Sequence, residues 1–552
     1  MQLDLSNHHC LGAAILGVLS HVIFFIRGEW HMRGYLLTKI YVAITIALLY
    51  AEYRYRSSPS AAFQAAGKIA GSYVASLFIS MTIYRKCFHR LRHFPGPTAA
   101  SVTKFWHLWK CPGGKNHLLL EQLSKEYGSF IRTGPEELTI IDPTIVSLID
   151  GPKSQCTKAV WYDIFFPQVA LNTTRITDDH ANRRRIWDRG FSPAALATYE
   201  ERIVLYADLL SFRIEGLVRE QSPIGIHRHN EAAVNVTEWL SWFAFDVMGE
   251  IAFGKSFGML HNGKWHMNTR LSVDAMDMLG PISPAPWIAR IVLDIAPWLP
   301  VVRDWFSMLQ WCRDCMGERL SKKEAKSSDI SHWLIEAFKK DLPTSNRQWL
   351  DGDAVTMVVA GSGTVAVALI FAFYELARNP PEQDRLLSEL KKIDIRDKVQ
   401  LQKCAHLTAV IQETLRLYPP VPTGGYRVTP PSGLFLNGTC IPGNITVVTP
   451  KYSIGRLASC YESPERFVPE RWTQKKEMIY NGQGFAPFSG GKFGCIGKSL
   501  AMSEMRLVIA LLVTKFKISF SENEKGETFL TELRDQFTFA PGELKLMFSI
   551  RS

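Results

Sequence analysis

Cys495 is the side chain best placed to do chemistry, in the run Phe488-Ser-Gly-Gly-Lys-Phe-Gly-Cys495-Ile-Gly497. Three glycines, 490, 491 and 494, come before it, and glycine lets a backbone pass close to a flat ligand where a Cβ would clash. A helix is predicted from about Ile496 to Phe516, with Leu500, Met505, Val508, Ile509 and Leu512 on its inward face. A cysteine at the start of such a helix meets free amides and the positive end of the dipole, which favour thiolate over thiol. The thiolate is the form that binds iron. Phe488 can pack beside the sulfur and exclude water, and Gly497 leaves room where helix and ligand meet. A buried structural cysteine after a glycine-rich turn is the competing reading of Cys495 alone. The full spacing F-x-x-G-x-x-x-C-x-G is much rarer than that.

Two further groups stand upstream. Glu413 and Arg416 lie three apart, so one helix face carries both. Such a pair is usually a solvated contact worth little. Here apolar residues surround it and Pro419-Pro420 ends the helix. The second group is Ala360-Gly361-Ser362-Gly363-Thr364, inside a long apolar segment. Interior glycines cost a helix about 1 kcal/mol each against alanine. Either a crossing helix packs closely there, or the helix widens locally to admit a small ligand.

In their order along the chain, the motifs resemble those of the cytochrome P-450 superfamily, from a Pro-Gly-Pro turn at 95–97 almost to the C-terminus. The resemblance implies a mainly α fold with small β-sheets, and haem b with Cys495 as the axial thiolate. Phe488, Gly491 and Gly497 would shape the haem loop. Glu413 and Arg416 match the family's E-x-x-R pair, and Arg471, in Phe467-Val-Pro-Glu-Arg-Trp472, would complete a structural ion network. Thr364 would sit on the oxygen side and help deliver protons. Arg427, and His180 with Arg184 in a loose W-x-x-x-R match, are candidates for the haem propionates, with a basic surface turn as the alternative. The resemblance also implies a small apolar substrate, and electrons from NADPH through a separate membrane-bound NADPH-cytochrome reductase.

Two departures stand out. The family's Arg or His two positions before the cysteine is Phe493, so Lys492 or other groups would hold the propionate. The acid that precedes the oxygen-side threonine is Gly363, which leaves the usual proton donor missing. Monooxygenation is the leading expectation. An isomerase or dehydratase needing no external electrons is the rival that Gly363 supports, and a non-catalytic membrane haem carrier or sensor is a third.

The elements that must position these groups are mostly helices. The central one is predicted from an N-cap at Asp353 through Arg378, ending at Asn379-Pro-Pro. It is apolar on nearly every face, which suits a core helix or a fourth membrane span. The Glu413 helix is predicted over about Leu401 to Tyr418, and a strand over 445–449.

Residues 1–93 are expected to form a membrane anchor and 94–552 the catalytic body. Apolar stretches run from about Cys10 to Ile26, Tyr35 to Tyr50 and Ile69 to Tyr84. Each is near the lower limit of the roughly 17–25 residues that cross a bilayer, so one or two could lie in the interface. Arg85, Lys86, Arg90 and Arg92 follow the third and favour the cytoplasmic side. The expected location is the endoplasmic reticulum membrane, with the body in the cytosol. The net charge of +11 comes with no nucleic-acid motif and suits anionic lipid and acidic donor proteins. Ten scattered cysteines are no disulfide scaffold, and the lone pair Cys312 and Cys315 lacks the second pair that zinc would want. The multi-span anchor resembles that of fungal secondary-metabolism members acting on alkaloids, terpenoids or polyketides.

Overall fold

The computed structural model describes residues 2–56, 58–220, 231–322, 329–521 and 525–551. It is mainly helical with small sheets, as expected.

Three long helices open the chain. The first, Gln2–Leu19, continues through the π-helical turn Ser20–Phe25. The second is Gly34–Tyr55, and the third, Pro59–Ile83, continues through Tyr84–Phe88. The first and third run parallel. A Cβ on Gly17 would meet Ser76 Oγ at 2.1 Å, so glycine is what allows this approach. One turn on, His21 Nδ1 lies 2.8 Å from Ser80 Oγ. All three are long and apolar enough to cross a membrane, and only 11%, 0% and 6% of their apolar windows is buried.

The central helix meets the same criterion but is 67% buried, which removes the fourth-span reading. It spans Arg347–Arg378, almost two turns longer at its start than predicted. Its N-cap is Asn346, whose side chain accepts from Trp349 N at 3.3 Å. Asp353 is therefore no cap: its carboxylate is wholly buried, held by Arg183 Nε at 2.6 Å and Trp187 Nε1 at 2.7 Å. A capping side chain and a buried ion-pair partner look alike in a sequence, because both are acids at the head of an apolar run.

The Glu413 helix, by contrast, is shorter than predicted. Cys404 takes an extended backbone and splits the segment into Lys398–Lys403 and Ala405–Leu417. The cysteine helix is Lys498–Lys515, starting two residues later than predicted. Cys312 and Cys315 are buried in the helix Pro300–Ser321, and burial raises both thiols, Cys315 to about 11, as suits structural thiols.

One sheet matters for the site. Its strands lie in the order Phe130–Gly134, Glu137–Ile140, Thr446–Val448, Arg427–Val428 and Thr157–Lys158. Thr446–Val448 is the strand foreseen over 445–449. The last two strands pair antiparallel, with Lys158 opposite Arg427.

Candidate active site

The cysteine loop folds as a tight turn ahead of its helix. Cys495 N donates to Phe488 O at 2.8 Å, and Gly494 N to Gly491 O at 3.1 Å. Gly490 and Gly491 let the loop dock closely on residues 150–151. A Cβ on either would strike the carbonyls of Asp150 or Gly151, and Gly491 has φ +53°. Gly491 does not line the cavity, whereas Phe488, Gly494, Cys495 and Gly497 do. At Gly497 the nearest atom to an added Cβ is Cys495 Sγ at 3.9 Å, so there is room beside the sulfur.

The thiol opens into a large internal cavity. Its depth in the fold raises its pKa, while the amides of Gly497 and Lys498 and the charges of Lys451 and Arg184 pull it back. The helix start thus favours thiolate as expected, but burial outweighs it. A bound metal ion removes such a proton outright.

Basic groups gather at one end of the cavity around Phe493. Arg427 lies over its ring at 4.7 Å, Lys158 at 5.2 Å and Lys492 at 5.0 Å, and the His180 ring meets it edge-on at 5.0 Å. Arg427 Nε also donates to Asp150 at 2.8 Å and Nη1 to the Tyr162 hydroxyl at 3.1 Å. Arg184 bonds Gly494 O at 2.8 Å. Lys158, His180, Arg184, Arg427 and Lys451 line the cavity; Lys492 does not.

The sequence reading missed Lys158 and Lys451. Lys158 is buried with Leu171 O as its acceptor at 2.8 Å, and Lys451 Nζ donates to Ser489 Oγ at 2.9 Å. Among the described residues neither ammonium pairs with a carboxylate. Desolvation, and after it the charge of Arg427, holds Lys158 well below the usual lysine range. Burial takes His180 down to about 3, with Lys158 and Arg184 adding to the effect. An unpaired buried ammonium is costly. An anionic group entering the cavity relieves that cost, so this end fits a ligand bearing carboxylates. The only trace of it in the sequence is a lone lysine heading the apolar run Ala159-Val-Trp-Tyr.

The opposite wall is the central helix. Thr364 lines the cavity, its hydroxyl turned back on Ala360 O at 2.8 Å. The helix stays α-helical through 360–364, so the local widening is not seen. Gly361 answers to close packing: a Cβ there would meet Met248 Cε at 2.4 Å. At Gly363 an added Cβ meets nothing within 4 Å among the described residues. Phe537, with φ 72°, stacks on Trp161 at 4.2 Å and adds an aromatic wall.

Glu413 is the hub of a buried network. It receives Arg416 through two bonds at 2.8 and 2.9 Å, Arg471 Nε at 2.9 Å, Trp472 Nε1 at 2.9 Å and Val468 N at 2.9 Å. Burial pushes its pKa up, but Arg416 and Arg471 outweigh this and hold it below the usual range.

The model of the cytochrome P450 family matches residues 95–548. The chain is a cytochrome P-450. Its relatives include cytochrome P-450 monooxygenase FCK2 of Fusarium pseudograminearum, 34% identical over 98% of this chain and 97% of that one. Tryprostatin B 6-hydroxylase of Aspergillus fumigatus is 33% identical over 98% of this chain and 96% of its own. Among solved structures, the P-450DA haem domain superposes with a TM-score of 0.67 at 17% identity, covering 83% of this chain and 98% of that one. This P-450 is a monooxygenase of the kind found in fungal secondary metabolism. Its family and fold imply a haem-thiolate iron centre, and the cavity residues fit one.

Proposed function

We propose that this P-450 inserts one atom of dioxygen into an apolar intermediate of an alkaloid, terpenoid or polyketide pathway. The other atom leaves as water, and NADPH supplies the two electrons through a separate membrane-bound reductase. The observation that carries the reading is that Cys495 and Thr364 face one cavity, with aromatic residues around it and, at one end, ammonium groups that no carboxylate among the described residues neutralises.

In this reading Cys495 holds the iron, Phe488 shields the sulfur, and Gly497 makes room for the macrocycle. Lys158 and Arg427, with His180, Arg184 and Lys451 beside them, hold the carboxylates. Bound there, haem supplies the oxygen activation, which the thiolate favours by pushing electron density to the iron. Thr364 keeps a hydroxyl within the cavity for proton delivery, and Trp161 and Phe537 keep the substrate dry. Glu413, Arg416 and Arg471 fix the segment that leads to the cysteine loop.

The N-terminal helices are proposed as a three-span anchor over 1–93, with the body of 94–552 on the cytosolic face of the endoplasmic reticulum. The parallel first and third helices support an odd number of crossings, and the basic residues after the third support the orientation. The test is a mass-spectrometric metabolite comparison of the producing cell with and without this chain, under isotopically labelled dioxygen. One labelled oxygen per product molecule is expected. A rearranged or dehydrated product without label would overturn monooxygenation in favour of isomerase chemistry.

A further inference from the structure

The turn joining the first two N-terminal helices reaches the catalytic body. Glu29 in that turn accepts both ends of the Arg175 guanidinium, from Nη2 at 2.6 Å and Nη1 at 2.8 Å. Arg175 Nη1 also donates to Asp163 at 2.6 Å, and its Nε to Lys158 O at 3.3 Å. His31 Nε2 lies 2.8 Å from the same Asp163 oxygen. Glu29, His31 and Asp163 stand close enough to share a metal ion, but Arg175 already lies between the two carboxylates as their cation.

What these contacts hold is the cavity wall. Asp163 belongs to the turn Val160–Phe165, whose Trp161, Tyr162 and Phe165 line the cavity, as do Lys158 and Thr173. The grip comes from outside, on a segment whose inner side chains face the ligand space. A second contact backs it: Gly34, at the head of the second helix, lies against Ile291, and Arg290 donates to Phe166 O.

We infer that Glu29 and His31 are positioning residues, which brace the 158–176 wall through Arg175 and Asp163 and so limit the passage of bulky ligands. The anchor is then part of the pocket as well as a tether. Bidentate arginine pairing gives the brace a defined geometry, and partial exposure keeps its strength modest.

The test uses the full chain in membranes, with Glu29→Arg and Arg175→Glu. Two readouts are taken: hydrogen exchange of the 158–176 amides, and release of 4-phenylimidazole from the haem iron, with carbon monoxide as a small control. Each single variant is expected to raise amide exchange and azole release by about three- to fivefold, the scale of a part-exposed bidentate pair. Carbon monoxide rebinding stays unchanged in both. Unchanged exchange and azole release in both variants would overturn the inference. Equal acceleration of carbon monoxide and azole would also overturn it, because that signals general loosening of the site. The exchange readout needs no haem, so it stands even if the haem-thiolate reading of the site fails.

Discussion

Arg183 Nε donates to Asp353 Oδ2 at 2.6 Å, and both side chains are wholly buried. The pair ties the helix Thr177–Gly190, which carries His180 and Arg184 to one end of the cavity, to the central helix, which carries Thr364 along its side. Trp187 Nε1 and Leu171 N complete the carboxylate's bonding. Arg183→Ala strands a buried carboxylate, and a loss of about 3–5 kcal/mol is expected from breaking such a pair. Replacing both partners by leucine leaves no stranded charge and is expected to cost much less. Unfolding of the solubilised chain, followed by loss of the haem band and by circular dichroism, checks the order of the two variants.

The Glu413 network makes a parallel prediction with a pH signature. Glu413→Ala or Arg416→Ala is expected to lose haem incorporation, with a destabilisation of about 3–5 kcal/mol. Arg416→Lys is expected to fail as well. A single ammonium cannot reproduce the guanidinium's two bonds to Glu413 together with those to Gly455 O and Pro464 O. Glu413's folded pKa lies below its ordinary 4.5, so its contribution is full above that value. It fades as pH falls through the lowered value. Haem content after incubation across pH 3–7 (about that range spans the carboxylate titration) should hold down to about pH 4.5 in the wild type. Normal haem content in either alanine variant would refute the role.

How much of this was legible depended on distance along the chain. The Cys495 loop and the Glu413–Arg416 pair are local patterns, readable because loop and helix geometry fix which neighbours meet. Lys158 and Arg427 meet only because two strands from distant segments pair in one sheet, and no periodicity encodes that register. The spacing of His180 and Arg184 suggested a family element, yet the fully buried partner from that helix is Arg183, one residue earlier. Helix ends were misplaced where a charged side chain turned inward, as at Asp353, or where the backbone breaks without Pro or Gly, as at Cys404. The brace through Glu29 lay beyond reach for a further reason: a polar turn between two apolar stretches carries no sign of what it docks against.

Lys158 predicts an unusual pH dependence for the haem-free chain. Its folded pKa lies below the ordinary 10.5, so between those two values the unfolded chain binds the additional proton. Unfolding free energy therefore rises with pH across that window. Carboxylates beside the ammonium would raise its pKa again and flatten the slope. Urea unfolding of the haem-depleted chain at about pH 7, 8 and 9, all below the ordinary lysine value, should show stability increasing. Lys158→Met should remove the increase and weaken haem retention. An identical slope in that variant would show that another group titrates there.

Gly363 offers a direct test of proton delivery. It precedes Thr364 in an unbroken helix, and an added Cβ there meets nothing within 4 Å among the described residues, so a larger residue can be accepted without moving the backbone. Aspartate is also the better helix former, by a few tenths of a kcal/mol over glycine. Gly363→Asp is therefore expected to fold at least as well as the wild type. If water or a substrate hydroxyl now substitutes for the missing acid, the added carboxyl should deliver protons faster and divert fewer electrons to hydrogen peroxide. A positioned acid contributes about 10²–10⁴-fold where its geometry is ideal. A rise of about tenfold in the ratio of product to peroxide is the modest expectation for an acid placed by substitution alone. The measurement is NADPH consumed, peroxide released and product formed with the reductase present. An unchanged ratio in a well-folded variant would mean that proton delivery does not pass through position 363. Thr364→Ala would then show whether the threonine hydroxyl carries the protons: its loss should lower the ratio if it does.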